Sequence, residues 1–304
     1  MERPRFRAPT VYLTSFRDET TNSLLAELQE SRKHFARVRA FIGDRCKRFR
    51  QPLSKKELYH LYKRVIVDDN HKAIYCPVWK SGSTSWRAVM HVLKGSFESI
   101  EDAVKSVHFL DGLTVLQSYK NRSEIEYKLR TYKKFMAYRE PINRFAADYL
   151  MLRKRKEGHD RQSRQIVEYA DSVRGRSDPK HPWQNMSIWD FATFVSRFGN
   201  DTTKTINLNF QWRPQALACY PCHISYDYYI DMESSTVDRD SRYLLKMIGA
   251  PHWLKMPHFN PTTKDKTPYL SQLSEPLFNS LVSVYYNDYE IFGYEKPELS
   301  RMKP

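Results

Sequence analysis

The stretch Ala73-Ile74-Tyr75-Cys76-Pro77-Val78-Trp79-Lys80-Ser81-Gly82-Ser83-Thr84-Ser85-Trp86 constrains the fold of this 304-residue chain more than any other. An apolar run reads as a buried strand, and the segment from Thr84 to Leu93 carries the 3.6-residue periodicity of a helix. Between them lies a turn in which Gly82 lets the backbone approach a ligand closely. The first N–H groups of the helix would face that turn, so an anion is expected there. A hydroxyl-rich turn that simply caps a helix is the plainer alternative. The order of residues excludes the nucleotide-triphosphatase signature Gly-x-x-x-x-Gly-Lys-Ser/Thr. Here Lys80 precedes a single glycine, and Ser83, Thr84 and Ser85 follow it.

A second strand-to-helix junction lies further on. Lys134 to Tyr138 reads as a short strand ended by Arg139-Glu140-Pro141, and Pro141 suits the first turn of a helix. From Ile142 to Arg153 the residues Phe145, Tyr149 and Leu152 share one helical face. Arg139 is thereby expected at the carboxyl end of a strand, where open α/β sheets bind ligands. A guanidinium there can hold a phosphate bidentately; a surface ion pair is its ordinary role.

Lys-x-Gly-x-Thr-x-Trp resembles the 5'-phosphosulfate loop of sulfotransferases that use 3'-phosphoadenosine-5'-phosphosulfate (PAPS). Further matches follow in order between about Cys46 and Tyr294: Asp44-Arg45-Cys46-Lys47-Arg48-Phe49-Arg50, the segment His108 to Tyr119, Arg139-Glu140-Pro141 with Arg144, Cys219-Tyr220-Pro221-Cys222 with His223 to Asp227, and Glu233. On these residues the chain resembles the Golgi carbohydrate sulfotransferases, the group that includes chondroitin and dermatan 4-O-sulfotransferases and the glucuronyl-epitope sulfotransferase.

The resemblance implies an α/β PAPS-dependent sulfotransferase fold, with a mainly parallel central sheet flanked by helices and a P-loop-like phosphosulfate loop. Lys80, Ser81, Gly82, Ser83, Thr84 and Ser85 would bind the phosphosulfate. Arg139, helped by Arg144, would bind the 3'-phosphate. The implied reaction passes a sulfuryl group from PAPS to a glycan hydroxyl and leaves adenosine 3',5'-bisphosphate, with no metal. Lys80 would stabilise charge on the leaving oxygen, and His108, between the two donor elements, is the candidate base. Glu140 is either an orienting carboxylate or a helix cap. Two positions depart from the family pattern: Ala147 stands where a serine is usual, and Phe210-Gln211-Trp212 where Glu-His-Trp is usual. The alternative is a catalytically silent relative that binds anionic polysaccharide.

Composition agrees with a polyanionic partner. Fifty Lys and Arg against thirty-five Asp and Glu leave a net charge of +15, which favours glycan, nucleic acid or an acidic membrane without choosing among them. No nucleic-acid-binding motif is present, and the implied acceptor is a glycan or proteoglycan. The basic clusters are Arg32-Lys33 with Arg37 and Arg39, Arg45 to Arg50, and Arg153 to Lys156.

The pattern divides into an amino-terminal helical or stem segment, 1–52, and a sulfotransferase domain, 53–304, with an exposed insertion at about 154–182. Helices are also expected at Ile188–Phe198 and Leu277–Tyr289, and a strand at Ile224–Tyr229. Pro257 to Thr267, with Lys264 and Lys266, suits a lid near the donor. No apolar run reaches the length of about 18 residues that spans a bilayer, so the membrane anchor expected of the family is absent from this chain. The family's compartment, the Golgi lumen, would make Cys46, Cys76, Cys219 and Cys222 two disulfides among three pairings. Sequons at Asn121, Asn185 and Asn200 fit that compartment.

Overall fold

Side chains on a strand alternate between its faces, and the apolar strands of this chain bury both. Four of them form one sheet in the order β1 (Ile66–Asp68), β2 (Ala73–Cys76), β3 (Lys133–Tyr138) and β4 (Tyr228–Asp231). The computed structural model describes residues 12–106, 112–153, 161–175, 186–199, 201–257 and 265–302. β2, β3 and β4 run parallel, whereas β1 pairs antiparallel with β2. The sheet is mainly parallel, as expected, and is made mixed by β1: the connection 69–72 is long enough only for a hairpin, and a parallel partner would need a crossover.

On one face, Tyr75, Phe135, Ala137 and Ile230 pack with Trp86 and Val89 of the Ser83–Leu93 helix and Leu244 of the Val237–Met247 helix. On the other, Ile74, Cys76, Met136, Tyr138 and Tyr229 pack with Leu217 of the Gln215–Cys219 helix and with Ile291 and Phe292. A further helical layer gathers Phe145, Phe191, Trp212, Phe278 and Tyr285. Both faces of the sheet are covered, which is why its strands read as apolar runs instead of alternating ones.

Several boundaries differ from the sequence reading. The amino-terminal helix, Tyr12–Cys46, docks on the domain through Phe35 and Ile42, which are buried. Cys46 is bonded to Cys222 and Cys76 to Cys219, so the Cys-x-x-Cys motif is neither a redox pair nor half a metal site. Tied through both cysteines and turned at left-handed Tyr220, residues 224–226 stay off the sheet, and β4 starts only at Tyr228. The terminal helix is two, Glu275–Val284 and Tyr286–Phe292, because Tyr285 leaves helical geometry with its ring buried and its hydroxyl on the Trp212 carbonyl at 2.8 Å. Within the expected exposed insertion, Arg161–Arg174 is a helix whose Ile166 and Ala170 are fully buried. Two apolar residues one turn apart suffice to dock it.

Candidate active site

Parallel strands deliver their carboxyl ends to one edge, so the segments after β2, β3 and β4 emerge together. After β2 the backbone enters the left-handed region at Lys80 (φ 64°) and again at Gly82 (φ 70°). Gly82 is the N-cap of the Ser83–Leu93 helix and has no side chain to spend on it. The first helical bond runs from the Trp86 N–H to the Gly82 carbonyl, 3.0 Å, which leaves the N–H groups of Ser83, Thr84 and Ser85 without an intrahelical acceptor. Arg87, one turn in, donates from Nε to the Ser83 carbonyl at 3.2 Å and lies 4.2 Å over the Trp79 ring, bracing both ends of the loop. Ser81, Ser83 and Ser85 are buried, whereas Lys80 and Thr84 are half-buried. Of the three hydroxyl residues after Gly82, only Thr84 is thus more than marginally accessible, so the three are not equivalent.

A Cβ on Gly82 would lie 2.8 Å from Met232 Cε and 3.2 Å from Met256 Cε. An L-residue also pays about 1–2 kcal/mol for the left-handed conformation. Gly82→Ala should therefore lower stability by that amount or somewhat more in urea denaturation, since a methionine tip can yield. An unchanged midpoint would mean that the turn does not need its glycine.

Arg139 follows β3 directly. Its Nε donates to Glu233 Oε1 at 2.5 Å and its Nη1 to the Lys80 carbonyl at 3.4 Å, so the two sequence-predicted elements meet. Glu140 resolves as a cap: its carboxylate accepts from the Ile142 and Asn143 N–H groups and from the Tyr289 hydroxyl. Burial raises its pKa against those hydrogen bonds. The start of the Pro141–Leu152 helix is consequently occupied by its own cap. Lys266 is buried nearby, with its Nζ 3.4 Å from Asn143 Oδ1. Burial first, and the neighbouring Arg139 second, hold its ammonium below the usual range. Of the lid segment, Lys264 lies outside the described residues.

Arg144 is placed differently from expectation. It is fully buried, with Nη1 on the Gln211 carbonyl at 2.7 Å and Nη2 on the Arg213 carbonyl at 2.5 Å. Both groups face inward to backbone oxygens, so Arg144 holds the 211–213 turn. His108 lies outside the described residues. Ala147 is buried in the Pro141–Leu152 helix, and Gln211 is buried with no hydrogen-bond partner on its Oε1 among the described residues.

Gln215 escaped the sequence reading. Fully buried, it clamps Arg139 through both backbone groups, accepting from the N–H at 2.9 Å and donating to the carbonyl at 2.7 Å. Its Oε1 also accepts from Ser81 Oγ at 3.3 Å. Asp288 fixes it in turn, accepting from the Gln215 and Ala216 N–H groups at 2.8 and 2.7 Å. Burial pushes Asp288 up to about 6 against the pull of Arg144 and those N–H groups. A glutamine after a proline and an aspartate near the carboxyl terminus carry no local signal of such a role.

A groove of about 720 Å³ between other helices is lined by Gln162, Tyr169, Phe194, Arg197 and Lys204 among others, and by none of these loop residues. Among the described residues no cluster of His, Cys, Asp and Glu could hold a metal, and no helix is long and apolar enough to cross a membrane.

Residues 63–295 match the model of the sulfotransferase family. The chain is 28% identical to human carbohydrate sulfotransferase 9 over 90% of its own length and 61% of that protein's. It is 29% identical to zebrafish (Danio rerio) carbohydrate sulfotransferase 14, covering 81% of this chain and 65% of the relative. With rat (Rattus norvegicus) carbohydrate sulfotransferase 11 the identity is 26%, over 93% and 82%. The chain thus spans under two thirds of the first two of these relatives. No solved structure matches it. The matched region contains the loop around Lys80, Arg139, Gln215 and Glu233, and on that match the chain belongs to the sulfotransferase family.

Proposed function

We propose that this protein is a PAPS-dependent carbohydrate O-sulfotransferase. The observation that carries the reading is the meeting of Lys80 and Arg139 at the common end of the parallel strands, beside a helix start with three N–H groups to offer. PAPS, when bound, supplies the sulfuryl group that an acceptor hydroxyl takes by in-line displacement. Lys80, Thr84 and the N–H groups of Ser83, Thr84 and Ser85 hold the phosphosulfate end and stabilise charge on the leaving oxygen. Arg139 takes the 3'-phosphate, exchanging its contact with Glu233 for the ligand, and Lys266 adds a second cation. Gln215 positions the Arg139 backbone against Ser81. His108 is the proposed base. The acceptor is a glycan, as the names of the related carbohydrate sulfotransferases suggest, and the proposed compartment is the Golgi lumen, where two disulfides persist.

The test is a thermal-shift titration with adenosine 3',5'-bisphosphate beside ADP and AMP. A ligand at a hundred times its dissociation constant stabilises by about 2.7 kcal/mol. Selective stabilisation by the bisphosphate, lost in Arg139→Ala, is the expected result; the same response in Arg139→Ala would remove Arg139 from the site. Gln211 in place of the family's histidine favours a second reading, a silent polysaccharide binder. That reading gains if none of the three nucleotides stabilises the fold.

A further inference from the structure

Arg64 sits between the Lys55–Tyr62 helix and β1, with its backbone N–H on the Leu61 carbonyl at 3.0 Å. Its guanidinium lies 4.5 Å over the Phe210 ring, and Phe210 in turn lies 5.3 Å from the Trp79 ring, centroid to centroid. Arg87 covers Trp79 at 4.2 Å. A ladder of two adjacent rings with a cation at each end therefore runs from Arg64 to Trp79, the residue next to Lys80, and on to Arg87.

The charge at the far end of this ladder is not balanced from within. Among the described residues no carboxylate forms an ion pair with Arg64, and no side chain or carbonyl accepts a hydrogen bond from its guanidinium. Glu57, on the adjacent helix, spends its carboxylate on Ser54 and on the Tyr220 hydroxyl. Arg213, whose Nε and Nη2 both donate to the Leu208 carbonyl, faces Arg64 as a like charge. Burial and then Arg213 push Arg64 down to about 9, with the Tyr220 phenol acting the other way. His60 is also held low, by burial and then by Arg213, Arg64, Lys56 and Lys63. A guanidinium held over an aromatic ring with none of its N–H groups taken by the described residues has them to give to an anion, and a half-buried cation among cations is stabilised by receiving one.

We propose that Arg64, with the Phe210–Trp79 ring pair, is an acceptor subsite that takes an anionic substituent, a uronate carboxylate or a sulfate ester, on a sugar next to the one being sulfated. The proposal rests on the transfer reading for its orientation toward Lys80. Phe210 fixes the position of the Arg64 guanidinium, and Arg64 reads the charge. The acceptor class is accordingly an anionic glycan.

The experiment uses the full chain and isothermal titration with three probes: unsulfated chondroitin hexasaccharide, its carboxyl-reduced form, and the carboxyl-reduced form carrying sulfate esters. The variants are Arg64→Gln, which keeps a polar stem on Phe210, Arg64→Lys, and Arg130→Gln as the loss of one exposed charge elsewhere. Expected is a preference of about tenfold or more for an anionic over the neutral probe, the scale of a charge-assisted hydrogen bond. Arg64→Gln should abolish it, Arg64→Lys should keep part of it, and Arg130→Gln should keep it whole. Which charged probe gains distinguishes carboxylate from sulfate. The idea is overturned if the native chain does not discriminate, if Arg64→Gln discriminates equally, or if Arg130→Gln loses as much. Adenosine 3',5'-bisphosphate stabilisation, read on the same samples, verifies folding and reports on the donor site separately. Arg64-dependent binding without it would sustain the anion subsite and sink the transfer reading.

Discussion

Lys80→Ala should lower sulfuryl transfer by about 10²–10³-fold, the effect of removing one preorganised charge-stabilising group, with the thermal midpoint nearly unchanged. The midpoint argument comes from the backbone. Lys80 holds φ 64° and contributes its carbonyl to Arg139, and alanine has the same Cβ and the same carbonyl. What disappears is the ammonium that the proposed mechanism sets against the negative charge developing on the leaving oxygen. Lys80→Arg should rescue only part of the loss, because a planar fork does not place its charge where a compact ammonium does. The check is a single-turnover assay with labelled PAPS and a glycan acceptor, run beside bisphosphate binding. Near-normal turnover in Lys80→Ala would sink the mechanism while leaving the donor site open to the Arg139 test.

Removing the Cys76–Cys219 bond, as Cys76→Ser with Cys219→Ala, should cost about 2–5 kcal/mol of stability and weaken the bisphosphate response of whatever remains folded. This bond joins the last residue of β2 to the last residue of the Gln215–Cys219 helix, across 143 residues of sequence. The same helix begins with the glutamine that holds Arg139 and Ser81 together. Loss of the bond frees the far end of the helix, so stability and donor binding should fall together. The Cys46–Cys222 bond anchors the end of the long amino-terminal helix instead. Its removal should lower stability in urea denaturation and leave bisphosphate affinity within about twofold, well inside the 1.4 kcal/mol of a tenfold change. Equal bisphosphate affinities in the two disulfide variants would break the argued link between Gln215 and the donor site.

Local chemistry explains which parts of this site were legible early. Strand, left-handed turn and helix start are written within a few residues of one another around Lys80 and Gly82, and again around Arg139 and Pro141. Each needs only periodicity and the conformational freedom of glycine or proline to be recognised. The roles of Glu140 and Arg144 were less legible because both residues have two chemically reasonable partners, a ligand or the protein itself. Tyr289 and two backbone N–H groups claimed Glu140, and the carbonyls of residues 211 and 213 claimed Arg144. Within the insertion the docking residues were hard to see for a similar reason: Ile166 and Ala170 are sparse in sequence yet sit on one helical face.

The amino-acid sequence alone determined the family resemblance, the two strand-to-helix junctions and the presence of four cysteines, since all of these are short-range patterns or simple inventory. Only the tertiary structure decided the cysteine pairing, the antiparallel β1, the clamp of Arg139 by Gln215 and Asp288, and the stacking of Arg64 on Phe210. Each of those joins residues tens to well over a hundred positions apart or depends on which way a short connection turns. The long-range contacts follow from how the layers pack, and no short window of the chain contains both partners.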